Sequence, residues 1–100
     1  MRIEILDRAA IDLLDGFHFY ETQQAGLGDY FLDSLYSDIE SLHLYAGIHR
    51  KAYKEFHRLL SKRFPFAVFY KISGDTVFIY AVADCRRDES WIKTKLGQTG

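Results

Sequence analysis

The sequence offers little from which to build a covalent or metal-bound scaffold. Cys85 is its one cysteine, which excludes an internal disulfide. The four histidines, His18, His43, His49 and His57, show no metal-ligand spacing, so with a single thiol no metal site is expected. No phosphate or dinucleotide fingerprint stands out, and no cofactor is expected. Long apolar runs are missing as well: none approaches the ~18 residues a bilayer span requires. The first residues carry Arg2, Glu4, Asp7 and Arg8 and have no apolar h-region, so they do not read as a signal peptide. These absences favour the cytoplasm. Internal repeats and low-complexity stretches are absent. So is a large excess of one charge: the formal net charge is −1. A chain this close to neutral is a poor match to strong generic nucleic-acid binding, which goes with clearly basic domains.

What the chain does have is apolar surface to bury. Hydrophobic residues make up 48% and aromatics 16%, the composition of a globular protein. A length of 100 residues predicts one domain, residues 1–100, with 97–100 as a frayed tail. Its charges are unevenly placed. Up to His49 there are two basic residues (Arg2, Arg8) and nine acidic ones, a balance of −7. From Arg50 onward there are eleven basic and five acidic, a balance of +6, and the two return −1. Two readings stay open: two solvated faces that merely differ, or a basic surface presented to an acidic partner.

The stretch from Phe56 to Asp88 reads as three successive antiparallel strands. Pro65 to Ile72 is almost wholly apolar and aromatic, Ser73-Gly74-Asp75 supplies a hairpin turn, and Thr76 to Ala83 returns with β-branched and aromatic residues. Strands this apolar need a covering layer, and the first half of the chain provides it. Arg2 to Leu6 alternates as an edge strand. Asp7 is a plausible N-cap for a helix that places Ala10, Leu13, Phe17 and Tyr20 on its inner face and ends near Gln23 or Gln24. Gly26-Leu27-Gly28 follows a helix rather than a strand, so it reads as a tight reversal and not as a phosphate loop. A second helix follows from about Asp29 to Tyr45, with Leu32, Leu35, Ile39 and Leu42 inside and Asp33, Asp38 and Glu40 wet. Residues 47–55 read as an irregular link, and 90–96 as a short amphipathic tail. The fold class is therefore α+β: an N-terminal strand and a helical hairpin packed on one face of a small, mainly antiparallel sheet.

His18 and His43 are expected to border the helical core. Tyr70 and Tyr80 are expected as core or sheet-face aromatics rather than acids or bases. Cys85 is expected as a small, buried or half-buried residue, although Arg86 and Arg87 beside it would act to lower its thiol pKa. Trp91 is expected to seal the end of a core.

Order and spacing together resemble the RelE/ParE superfamily of bacterial type II toxins over residues 2–96. The features that carry this are Gly26-Leu27-Gly28 with Phe31, Arg58-Leu59-Leu60, Arg63-Phe64-Pro65-Phe66, Val68 to Ile72 with Gly74-Asp75, and Ala81-Val82 followed by Arg86-Arg87-Asp88 and Trp91. The resemblance implies a toxin neutralised by a cognate antitoxin that wraps it, with assembly as a homo-oligomer or as a hetero-oligomer with that antitoxin. RelE-like members cut mRNA on the ribosome, using cations to offset charge that develops as a 2′-OH attacks. This sequence departs from them. Ala67 stands where the middle-strand arginine is expected, Asp84 where many relatives have a histidine, and Trp91 where a proton-exchanging tail residue is common. Arginine alone is a poor general base. ParE-like members bind DNA gyrase and lack a nuclease site, and the sequence leans that way. A member that only binds antitoxin is the third reading. The expected antitoxin- or target-binding set is Arg58, Lys62, Arg63, Arg86, Arg87 and Trp91. The competing reading pairs Arg86 and Arg87 with Asp84 and Asp88 as strand-end structure.

Overall fold

The computed structural model describes Met1 to Gly97. The chain runs β1 (Arg2–Ile5), α1 (Asp7–Gln23), α2 (Leu27–Glu40), α3 (Leu42–Tyr45), β2 (Lys51–Tyr53), β3 (Phe56–Leu60), β4 (Phe66–Ser73), β5 (Thr76–Asp84) and α4 (Glu89–Gly97). The five strands form one sheet in the order β1-β5-β4-β3-β2, parallel between β1 and β5 and antiparallel elsewhere. The fold class is as expected from the sequence. No helix among the described residues is long and apolar enough to cross a membrane.

Strand parity is resolved by a β-bulge. Phe69 pairs with Ala81 and Tyr70 with Ile79, which leaves Tyr80 as an extra residue on β5. The bulge sends Ile79 and Ala81 to opposite faces. On one face Leu59, Val68, Tyr70, Val77, Ile79 and Val82 meet Ala9, Leu13 and Tyr20 of α1 and Phe31, Leu35 and Ile39 of α2. On the other face Phe56, Ala67, Phe69, Ala81 and Ala83 are covered by Leu96 of α4, with Ile92 beside it. The sheet is thus packed on both faces, and the tail that read as a short amphipathic stretch is a covering helix.

The helical hairpin departs from the expected pattern in detail. The buried face of α1 is Ala9, Leu13, Gly16 and Tyr20, so Ala10 is exposed and Phe17 half-buried. Gly16 causes the offset: a Cβ there would lie 2.5 Å from the Phe31 ring, so only glycine lets α2 approach this closely. Asp7 is the first residue of α1 rather than its cap. Helix α2 starts at Leu27, two residues early, because the Glu21 carboxylate accepts the Gly26 N–H (3.1 Å) and the Gly28 N–H (2.9 Å). The donors a phosphate would have used are therefore taken by an internal anion. The second helix breaks at Ser41, whose hydroxyl donates to Asp38 O at 2.6 Å, and one further turn makes α3. Asp38 itself is buried, against expectation, with its carboxylate accepting the Lys62 N–H at 3.4 Å. Within 47–55, Lys51–Tyr53 adds an edge strand. Gly97 closes α4, and the rest of the expected frayed tail, 98–100, lies outside the described residues.

Candidate functional site

Of the sequence-predicted residues, Arg86 and Arg87 follow directly on the end of β5 at Asp84. The Cys85 N–H donates to Pro65 O at 2.8 Å, which ties the 61–65 loop to the segment leading into α4. The six residues then divide. Arg86 holds Asp84 through two nitrogens, Nε at 2.9 Å and Nη2 at 2.7 Å. These hydrogen bonds keep the Asp84 carboxyl below its usual range. The pairing weighed from sequence is therefore present for Arg86.

It is not present for Arg87. Asp88 instead accepts the Trp91 N–H (2.8 Å) and the Ser90 hydroxyl (2.9 Å), capping α4 and lowering its own pKa. The Arg87 guanidinium lies 4.7 Å from the Trp91 ring centre, one turn along, and has no ion pair among the described residues. Trp91 is 39% exposed and also meets Lys95 at 5.7 Å, so it does not seal a core as expected; Leu96 does that. Lys62 and Arg63 sit on the 61–65 loop. Arg63 rests 6.0 Å from the Tyr30 ring, at the edge of an aromatic cluster in which Phe64 and Phe66 pack on Tyr20 and Phe31.

Arg58 is exposed on β3, on the face that α4 covers, because it pairs with Phe69. It shares a groove of about 360 Å³ with Tyr53, Phe69, Cys85, Arg87 and Ile92. A second groove of about 540 Å³, lined by His49, Arg50, Lys51, Ala52 and Arg58, meets the first at Arg58 and Ala52. The structure therefore joins Arg58 with Arg87 and adds Arg50 and Lys51. Lys62 and Arg63 are not among the groove's lining residues. Cys85 is exposed rather than buried. Desolvation raises its thiol pKa and outweighs the opposing charge of Arg58, so the expected lowering does not occur.

Sequence reasoning missed a polar cluster behind the larger groove. Tyr70 is fully buried, as expected of a core aromatic, but its hydroxyl is engaged. It accepts the Gly47 N–H at 3.1 Å and meets His49 Nδ1 at 2.6 Å. The hydroxyl proton then has His49 as its acceptor, which requires an unprotonated Nδ1. His57 stacks on Tyr70 at 5.0 Å and donates from Nδ1 to His49 O at 2.7 Å. Desolvation lowers the His49 pKa, helped by His57, while desolvation raises that of Tyr70. The alternation His57-Arg58-Leu59 was the one local signal, since it places His57 on the same face as Leu59. His18 and His43 are exposed rather than bordering a core.

No protein-family model matches the chain, and no curated protein matches it in sequence. Among solved structures it is similar to a chain of the chromosomal ParDE TA system from P. aeruginosa. That likeness has a TM-score of 0.78 at 18% identity and covers 84% of this chain and 95% of the other. The chain thus shares its α+β fold with a chain of that system, in keeping with the fold class read from its sequence.

Proposed function

We propose that this protein is the toxin of a type II toxin–antitoxin system, that it inhibits growth by binding DNA gyrase, and that a cognate antitoxin neutralises it. The fold shared with a ParDE chain supports the toxin reading. The observation that carries the binding reading is the groove around Arg58 and Arg87. It offers exposed guanidinium groups suited to gripping carboxylate or phosphate, while desolvation pushes the pKa of its one thiol up. A surface of this kind recognises a partner; it does not by itself move protons.

A second reading, ribosome-dependent mRNA cleavage, has one specific observation in its favour. His49 lines the larger groove with Arg58, and the Tyr70 hydroxyl fixes its ring with the lowered pKa of a base that stays neutral at pH 7. The two are separated by expressing the wild type and the double variant Arg58→Ala with Arg87→Ala without antitoxin, and following growth, translation and supercoiling. On the gyrase reading supercoiling fails in the wild type while translation continues, and the double variant, still folded, loses toxicity. Truncated mRNA on ribosomes, abolished by His49→Ala, would replace it with the second reading. An absence of any growth effect would leave a protein that only binds antitoxin.

A further inference from the structure

We infer that β1 is a self-association edge: two copies of this chain pair their β1 strands antiparallel about a two-fold axis, with Arg2 of each opposite the partner's Glu4, and their sheets become one. This pairing does not depend on what the protein inhibits.

The edge is open, and its polar groups aim outward. Strand β1 is the last strand on its side of the sheet and pairs only with β5. Arg2 N–H donates to Asp75 O at 2.9 Å and Leu6 N–H to Ile79 O at 3.1 Å, so the even-numbered residues direct their backbone groups at β5. Ile3 and Ile5 therefore turn theirs to the open side. An unpaired row of this kind is a template for another strand. His43 Nδ1 meets Met1 O at 2.7 Å at the start of this edge, and a carbonyl oxygen keeps a second lone pair for a further donor.

Charge selects the occupant. Arg2 and Glu4 share one face of β1, two residues apart, with opposite signs. Both are exposed, their neighbours on β5 are Thr76 and Phe78, and neither is in an ion pair among the described residues. For the outward backbone groups to meet, a second copy must be centred on Arg2, Ile3 or Glu4. Centring on Arg2 or on Glu4 sets that charge against itself, and like charges directly opposite are destabilising. Centring on Ile3 sets each Arg2 opposite the partner's Glu4. It also lets Ile3 N–H reach the partner's Ile3 O, and Ile5 N–H the partner's Met1 O.

The other face fits the same register. By alternation Met1, Ile3 and Ile5 lie together there, Met1 being 47% exposed and the two isoleucines half-buried. Met1 then stands opposite the partner's Ile5, and Ile3 opposite the partner's Ile3, so apolar pairs back the charged ones. A foreign strand would need this same order of charged and apolar residues. A second copy supplies it by symmetry, as an isologous interface requires.

The test is sedimentation of the untagged chain over a concentration series, beside amide exchange. A reversible monomer–dimer equilibrium is expected, with the Ile3 and Ile5 amides exchanging more slowly as concentration rises. Arg2→Glu and Glu4→Arg, on exposed positions where the fold is verified by melting, each turn both cross-strand pairs from attraction to repulsion. Each should weaken the dimer about tenfold. The double variant Arg2→Glu with Glu4→Arg rebuilds matched pairs and should restore it. An equal mixture of the two single variants should form a mixed dimer as tight as that of the wild type. A chain that stays monomeric up to about 1 mM, a dimer indifferent to the single variants, or a mixture that fails to pair would overturn the inference. So would a dimer whose Ile3 and Ile5 amides exchange at the monomer's rate.

Discussion

His49 shows how one side chain ties stability to pH. Its Nδ1 must be bare to accept the Tyr70 hydroxyl, whose oxygen already takes the Gly47 N–H. Protonating His49 would strand the Tyr70 proton in a fully buried site, beside His57 and among Arg50, Lys51 and Arg58, which line the same groove. Desolvation, helped by the neighbouring His57, holds the His49 pKa in the folded state below its ordinary 6.5. The sign follows from linkage: the unfolded chain binds more protons between the lowered value and 6.5, so stability rises with pH across that interval. The contribution is fully present above 6.5 and is lost as pH falls through the folded pKa. Asp84 and Asp88 are carboxyls with lowered pKa, so they take effect only at lower pH. Chemical denaturation of the wild type should thus weaken as pH drops below 6.5. His49→Gln, whose amide oxygen can accept the same hydroxyl proton without titrating, should flatten that slope. Parallel slopes for the two proteins would show that the cluster does not hold His49 neutral.

At the scale of elements, the hairpin of α1 and α2 depends on glycines. Gly16 lies against Phe31, and Gly28 against Phe17, where a Cβ would come 2.7 Å from the ring. Gly16→Ala should raise helix propensity by up to ~1 kcal/mol and lose ~1–3 kcal/mol to overpacking, since Phe31 is fully buried and cannot turn outward. The net is destabilising, and the denaturation midpoint reads it; a raised midpoint would mean that the hairpin relaxes freely. These contacts also explain what the sequence could and could not reveal. Periodicity identified β1, both long helices and β3 to β5, because each has buried or half-buried apolar residues on one side, if only Ile3 and Ile5 in β1. It placed the α1 face one residue off, because a buried glycine and a buried alanine carry no apolar signal. Helix α4 was hidden because Leu96 is its one fully buried residue, and β2 because Lys51–Tyr53 is three residues long and mostly exposed. Of the site, the Arg87–Trp91 stacking was available from an i, i+4 spacing. The meeting of Arg58 with Arg87 was not, since it depends on where β2 and α4 lie. Nor was the His49–Tyr70–His57 cluster, whose members come from a link and two strands.

The whole molecule is a sheet between two layers of unequal strength. The α1–α2 layer supplies Leu13, Phe31, Leu35 and Ile39, all essentially without exposure. The α4 layer supplies Leu96 above a floor that includes Ala67, Ala81 and Ala83, residues with little side-chain area to bury. Beyond Leu96 and the half-buried Ile92, its ties are polar. Lys95 pairs with Asp12 at 2.7 Å, the same Asp12 accepts the Val82 N–H at 2.9 Å, and Arg8 donates to Lys95 O at 2.8 Å. Truncation should therefore act differently on the two sides. Leu35→Ala should cost ~2–5 kcal/mol, a large share of the ~5–15 kcal/mol that holds a domain folded, and should lower the global denaturation midpoint. Leu96→Ala removes the main apolar anchor of α4 while the first layer still covers β4 and β5. Its expected signature is local: amide exchange in α4 accelerates, the amides of β4 and β5 keep their protection, and the global midpoint moves less than for Leu35→Ala. Equal midpoint shifts, with α4 and β4 exchanging together in both variants, would show instead that the two layers unfold as one unit.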